Sequence, residues 1–516
     1  MTENKRIVLN ALASYGRSLF TLCLGMFSSR WILSAIGAED YGLFGVTAGI
    51  IGIITLLNGL LSASVSRHYA YAIGASRQMA EVEGKEMLTR WFNSAISIHI
   101  ILPLVLIVIG YPLGDWALRN WLVIPSARMD ACLCSFRLSL LMAFFSMVSV
   151  PYIAFYQAKQ LIAELSLWGV IQTSLTFTCT YFLRSWDGDR LIALSAYSSL
   201  VPVLIMVIQV LRARTHFPQC RIRRRYIFDF RQLKKIVEFA FGDFWGWFGS
   251  AVRDRGLTFM VNINYGPQMN ASYALSDRVS QYTMALSNSL IGALVPAVTT
   301  AEGAGNHDRA LRLSFSSIKF GVMLILIFAI PLFIEVDEVL RLWLINPPEY
   351  TGTLCRFILV ALIVHKLGWG HHLALVAGGR ILCYQFFTGL LSAGGLIIAW
   401  LLFRFGLGVE SIGWAIVLDY IAVVLMRVYF GKRLCGMPVV YWIVHVVLPL
   451  FVLMLASGVV GCLPSQLLPP SFLRIVLTVT ATMIPFAVVS WFIVCDADER
   501  RILSIAISKL VNRVVA

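Results

Sequence analysis

Apolar runs of about 20 residues, the length an α-helix needs to cross a hydrocarbon core about 30 Å thick, recur from one end of the 516-residue chain to the other. Fourteen can be delimited: 11–36, 43–66, 92–112, 136–156, 161–183, 191–211, 236–264, 271–297, 316–335, 355–378, 381–403, 411–431, 439–462 and 473–495. The expected fold class is therefore all-α, a polytopic membrane protein of about 14 transmembrane helices. Composition agrees, with 59% hydrophobic and 13% charged residues, against roughly 25% charged in soluble chains.

The exception to this apolar character is a basic stretch near the middle, RARTHFPQCRIRRRYIFDFRQLKK at 212–235, which holds nine of the 42 Lys and Arg residues. Charge this dense cannot enter a bilayer cheaply, so it belongs in water at a membrane surface. Lys and Arg in alternate loops divide unequally, 26 on the side of the N-terminus against nine on the other. By the positive-inside rule both termini are expected in the cytoplasm. The net charge of +15 then belongs to cytoplasmic loops, not to nucleic-acid binding.

The basic N-terminus lacks a small-residue cleavage site and reads as a retained first helix. The ten Cys are scattered through apolar segments, so neither a disulfide framework, a metal site nor a cofactor motif is expected. In the tail after Val494, Leu503, Ile507, Leu510 and Val514 share a face opposite basic residues, the pattern of a helix lying in the cytoplasmic interface.

An internal repeat organises the chain. GAEDYGL at 37–43 followed by NGLLSASV at 58–65 has a counterpart in GPQMNASYAL at 266–275 followed by NSLIGALV at 288–295. In each copy a glycine turn ends a long helix and the next helix carries a mid-membrane Asn. Six spans lie between the copies, so the repeat is parallel. Two six-helix lobes are expected, 1–211 and 236–431, joined by the cytoplasmic linker 212–235. Residues 432–496 add two further spans outside the repeat, and 497–516 form the amphipathic tail.

Residues 4–69, NKRIVLN through SRHY, closely resemble the opening of bacterial polysaccharide transporters, the lipopolysaccharide or O-antigen flippases of the multidrug/oligosaccharidyl-lipid/polysaccharide exporter superfamily. GDFWGWFGSAVRDRGLTFMVNINYGPQMNASYALSDRVSQYTMALSNSLIGALVPAV, from Gly242, looks like their seventh and eighth helices. The resemblance implies a MATE-like fold with a cavity between helices 1, 2, 7 and 8. It also implies outward movement of a polyprenyl-diphosphate-linked oligosaccharide across the inner membrane. Expected partners are that glycolipid, membrane lipids, H+ or Na+ as coupling ion, and other polysaccharide-assembly proteins.

Ionisable residues within spans cost about 2.5 to 3.5 kcal/mol each near the membrane centre, so they normally face a cavity or a partner. Five arginines, Arg17, Arg30, Arg253, Arg255 and Arg278, are the candidates to line a hydrated lumen and grip a diphosphate. Guanidinium stays charged at any depth and presents paired donors to phosphate. Asn58, Ser62, Asn262, Asp277, Gln281 and Asn288 would contact sugar hydroxyls. The competing structural reading makes Arg253, Asp254, Asp277 and Arg278 internal ion pairs and lets Arg30 snorkel to the outer interface.

Weaker signals are His365, Lys366, His371 and His372 in span 10, which could couple to protons, the simpler reading being local hydrogen bonding. Asp419 and Arg427 in span 12 are eight residues apart, too far for a direct pair. A MATE-type multidrug exporter would require the carboxylates of Asp243, Asp254 or Asp277 to bind cations. An enzyme acting on a lipid carrier is disfavoured, since Asp115, Asp187 and Asp189 form no catalytic constellation.

Overall fold

The computed structural model describes residues 3–50, 81–159, 161–226, 229–303, 305–344, 346–379, 382–501 and 504, with isolated positions between 58 and 73. Among the described residues every regular element is a helix. They are α1 (Glu3–Ile50), α2 (Glu81–Asn120), α3 (Met129–Ala158), α4 (Ile162–Leu183), α5 (Arg190–His216), α6 (Phe230–Gly303), α7 (His307–Leu344), α8 (Thr351–Leu367), α9 (Trp369–Ala377), α10 (Leu382–Arg404) and α11 (Glu410–Cys435). The short α12 (Val439–Trp442) runs through a π-turn at Ile443–Val447 into α13 (Leu448–Leu467). The last, α14 (Phe472–Val489), ends in a second π-turn.

Among the described residues, ten helical segments are long and apolar enough to cross a membrane. The difference from the 14 expected has a compositional cause. Spans 5, 7 and 8 are present as helices but carry polar side chains, the Thr and Ser series of α4 and Arg253, Asp254, Arg255, Asp277 and Arg278 of α6. Much of span 2, including 51–57, lies outside the described residues, as does the tail at 502–503 and 505–516.

Gly37 and Gly266 interrupt α1 and α6 at equivalent points of the repeat, with φ/ψ of 80/172° and 80/−179°. This backbone region is essentially closed to residues with a Cβ, which explains why both copies of the motif begin with glycine. A different constraint acts at Gly42: a Cβ there would stand 1.8 Å from the carbonyl oxygen of Pro267. The two copies of the motif are thus in backbone contact.

The chain forms two compact units. The first comprises Met1–Leu275, Pro348–Tyr350 and Gln385–Ile412; the second comprises Ser276–Pro347, Thr351–Tyr384 and Gly413–Ala516. In the first, α3 packs along α5 and α2, and α1 along α4, around Phe92, Phe136, Met147, Phe155 and Tyr156. Helix association in lipid lacks a hydrophobic drive and relies on close packing, for which small residues are suited. Gly246, Gly249 and Gly389 supply it between α6 and α10: a Cβ on Gly249 would lie 1.9 Å from the Gly389 carbonyl oxygen.

The basic linker is folded against the first unit. Its backbone at Arg221 and Arg223 is held by the buried Asn93 of α2, whose Nδ2 donates to the Arg221 carbonyl and whose Oδ1 accepts from the Arg223 amide. The Tyr226 hydroxyl donates to Glu86, and the Arg90 guanidinium lies 5.1 Å from the Tyr226 ring centroid.

In the second unit α13 and α14 pack on each other and on α7, and ion pairs tie α7 to its neighbours. Glu335, 1% exposed, accepts from Arg474 at 2.6 and 3.0 Å and from Thr478 at 2.9 Å. Lys319 donates to Glu499 at 3.1 Å and to Asp496 at 3.4 Å. The helix breaks at Glu335, four residues after Pro331, and Arg356 donates to the carbonyl of Phe333 just before the break.

Candidate functional site

The sequence-predicted residues fall in both units, and their environments separate them into available and committed groups. Arg17 is exposed on α1, its aliphatic stem against Gly169 of α4, where a Cβ would meet Cδ at 2.5 Å. One turn on, the Thr21 and Thr173 hydroxyls are 3.2 Å apart. The polar stripe of α1 therefore continues onto the Thr-rich face of α4, a partner that periodicity within one helix could not reveal. Arg30 is partly buried on the same helix.

In the first half of α6 the three consecutive charges diverge, as the 100° step of a helix requires. Arg253 turns inward, 4% exposed, and its Nε donates to Asp254 at 2.8 Å. Arg255 is exposed. Asn262 is committed to the fold: it is fully buried, its Oδ1 accepts from the Val123 amide at 2.8 Å and its Nδ2 donates to the Val123 carbonyl at 3.3 Å. A two-ended clasp of this kind leaves its amide little to offer a sugar, in contrast to the expectation from sequence.

The second half of α6 exposes Asp277, Arg278 and Gln281, with Gln281 Nε2 donating to Asp277 at 2.8 Å. Asn288 accepts from Lys366 Nζ at 3.0 Å. In the first unit Asn58 donates to Ser146 at 2.8 Å while its buried carbonyl oxygen has no hydrogen-bond partner among the described residues; Ser62 is partly buried nearby in sequence. Among the described residues no hydrogen bond or ion pair engages Arg17, Arg255 or Arg278. These three exposed guanidinium groups keep their donors.

Two charged clusters were not legible in the sequence. Arg128, read only as a loop charge, forks between two carboxylates: Nε and Nη2 donate to Asp40 at 2.8 and 2.6 Å, Nη1 and Nη2 to Asp189 at 2.8 and 3.1 Å. Asp189 also caps α5 by accepting from the amides of Leu191 and Ile192. Burial raises the Asp189 carboxyl's affinity for protons, but Arg128 and the two amides outweigh it and hold it below the usual carboxylate range. The cluster floors an open cavity of about 430 Å³ whose lining includes Trp186 and Asp187. With most of its donors engaged, Arg128 serves as a knot between the Gly37 turn and the start of α5.

The second cluster gathers Lys366, Trp369, His372, Tyr384 and Arg427. Lys366 and Arg427 both lie over the Trp369 ring, and Tyr384 links Arg427 to His372. Helical spacing sets Arg427 too far from Asp419 for a direct pair but cannot show which neighbouring helix it meets.

No protein-family model matches the sequence, and no curated protein matches it. Solved structures do. A multidrug resistance MATE family transporter of the MOP superfamily, in an inward-facing conformation, aligns over 83% of this chain and 98% of its own with a TM-score of 0.67 at 15% identity. The lipid II flippase MurJ, in an inward closed conformation, aligns over 94% and 98% with a TM-score of 0.67 at 12% identity. A MOP superfamily transporter from Pyrococcus furiosus, described as having a binding pocket of reverse polarity, aligns over 84% and 93% with a TM-score of 0.54 at 15% identity. The chain is a multi-pass membrane protein with the MATE-like fold of MOP superfamily transporters.

Proposed function

We propose that the protein is a flippase that moves polyprenyl-diphosphate-linked polysaccharide repeat units, of O-antigen, capsule or exopolysaccharide, outward across the bacterial inner membrane. The two lobes 1–211 and 236–431 would alternate in access, with both termini cytoplasmic. The observation that carries this reading is the set of exposed, unengaged guanidinium groups of Arg17, Arg255 and Arg278 in segments that the sequence leads us to expect as spans. A guanidinium at membrane depth is retained where it meets water or an anion, and a diphosphate supplies acceptors for its paired donors. The nearby described carboxylates are occupied, Asp254 by Arg253 and Asp277 by Gln281.

Membrane potential supplies a drive. Each negative charge moved fully outward from a negative cytoplasm gains about 2.3 kcal/mol per 100 mV. A doubly charged diphosphate would gain about twice that, with H+ or Na+ coupling adding to it.

A cation-coupled multidrug exporter is the second reading, favoured by the MATE transporter that aligns with the same TM-score as MurJ. It requires carboxylates to bind cations. Asp254 and Asp277 are the described candidates; the side chain of Asp243 lies outside the described residues.

The test is transbilayer movement in proteoliposomes of a polyprenyl-diphosphate oligosaccharide and, in parallel, of a cationic dye, under imposed potentials of either sign. The expected result is glycolipid movement that Arg17→Ala and Arg255→Ala each slow tenfold or more. Dye export without glycolipid movement, abolished by Asp277→Asn, would replace the flippase reading with the exporter.

A further inference from the structure

Lys366, near the end of α8, and Arg427, in α11, are 0% and 6% exposed. The Lys366 ammonium is 5.1 Å and the Arg427 guanidinium carbon 5.3 Å from the centroid of the Trp369 ring, so two buried cations share one aromatic side chain. Their hydrogen-bond partners are uncharged. Lys366 Nζ donates to Asn288 Oδ1 at 3.0 Å, Arg427 Nε to the Tyr384 hydroxyl at 3.2 Å, and Arg427 Nη1 to the His365 carbonyl at 3.4 Å.

That leaves a surplus of donors. An ammonium has three N–H groups and a guanidinium five; among the described residues, Lys366 uses one and Arg427 Nη2 none. No described carboxylate pairs with either cation. Asp419, the buried acid of α11, stands eight residues before Arg427, about 12 Å along the helix. The imidazoles around the cluster face other groups: His372 shares a hydrogen bond with Tyr384, His365 packs on Tyr420, and His371 lies edge-on to Phe315 and Trp442.

Buried like charges with spare donors and no acid are complementary to a ligand that only accepts hydrogen bonds and carries negative charge. We propose that Lys366 and Arg427 form a binding site for a small inorganic anion within the second unit. It uses none of the exposed arginines of α1 and α6 and does not depend on which substrate the transporter carries. A bound anion completes the donor set, neutralises the pair, and keeps Lys366 charged and bonded to Asn288. Occupancy is thereby linked to α6. Chloride and a phosphate group both satisfy this chemistry.

The experiment uses the full chain in lipid nanodiscs and measures equilibrium binding of radiolabelled chloride and, separately, of radiolabelled inorganic phosphate, at constant ionic strength with gluconate as the replacing anion. Saturable binding is expected for one or both, weakened tenfold or more in Lys366→Met and Arg427→Met and retained in Lys366→Arg. Chloride binding alone assigns the site to a halide, phosphate binding alone to a phosphate group, and mutual competition to either. Thermal midpoints of the wild type in chloride, phosphate and gluconate provide a readout that needs no variant, with a rise expected in the anion that binds. Absence of saturable binding of both anions in the wild type would overturn the proposal. So would binding that survives both methionine substitutions.

Discussion

At the scale of single residues, the structure distinguishes charges that hold the fold from charges that remain available. Glu335 belongs to the first kind, a buried carboxylate whose oxygens are taken by Arg474 and Thr478. Removing one partner of a buried pair leaves the other uncompensated and typically costs about 3 to 5 kcal/mol. Arg474→Ala should therefore lower the thermal midpoint sharply, whereas the paired replacement of Glu335→Leu with Arg474→Met should restore much of the loss. Asp189 makes a pH-dependent contribution. Its carboxyl titrates below the ordinary carboxylate value in the folded protein, so its stabilisation is fully present above about pH 4 to 5 and is lost as pH falls through the lower folded value. The fall in thermal midpoint between pH 5 and pH 3 should be smaller in Asp189→Asn than in the wild type.

Charges of both kinds are plain in the sequence, since any Arg within an apolar run stands out. Their division into committed and available groups was not legible there. Arg253 and Arg255 are two residues apart, yet one is buried against Asp254 and the other exposed. Helical geometry predicts that they point differently but not which of them meets a neighbour. Asn262 shares the sequence character of the other polar span residues, and only the approach of Val123, 139 positions away, makes it a clasp.

At the scale of elements, the paired glycine turns were legible because they rest on a local backbone demand. Gly37 and Gly266 occupy the same positive-φ, extended-ψ conformation, and no neighbour lies close enough to obstruct a Cβ at either. A substitution there is opposed by backbone strain alone, of order 1 to 3 kcal/mol. Gly37→Ala and Gly266→Ala should each lower the thermal midpoint by a similar, moderate amount, while Gly42→Leu, which drives a side chain into the Pro267 carbonyl, should abolish folding of the first unit. Equal effects at all three positions would show that crowding, not φ, governs the motif. The glycine packing between α6 and α10 was illegible by contrast, because Gly249 and Gly389 are 140 positions apart and nothing in either helix marks the other as its partner.

At the scale of the whole molecule, the chain is long apolar helices closed by charged knots: Arg128 with Asp40 and Asp189, Glu335 with Arg474, Lys319 with Glu499. Within a bilayer such contacts gain in importance, since apolar surfaces have no water to escape and packing with polar pairing sets helix association. The transport assay above belongs to this scale, because movement of a substrate across a bilayer is read from the intact chain in a membrane.

The sequence by itself determined the membrane character, the all-helical class and the paired glycine turns at Gly37 and Gly266. Each follows from a short-range requirement, the length of an apolar run or the φ of one residue. Tertiary structure alone decided that Arg427 joins Lys366 at Trp369, that Asn262 holds Val123, and that the basic linker is bound to Asn93. Those outcomes depend on which distant helix faces each side chain, and in lipid that choice is made by small residues and matched polar groups whose pairing is written in no single segment.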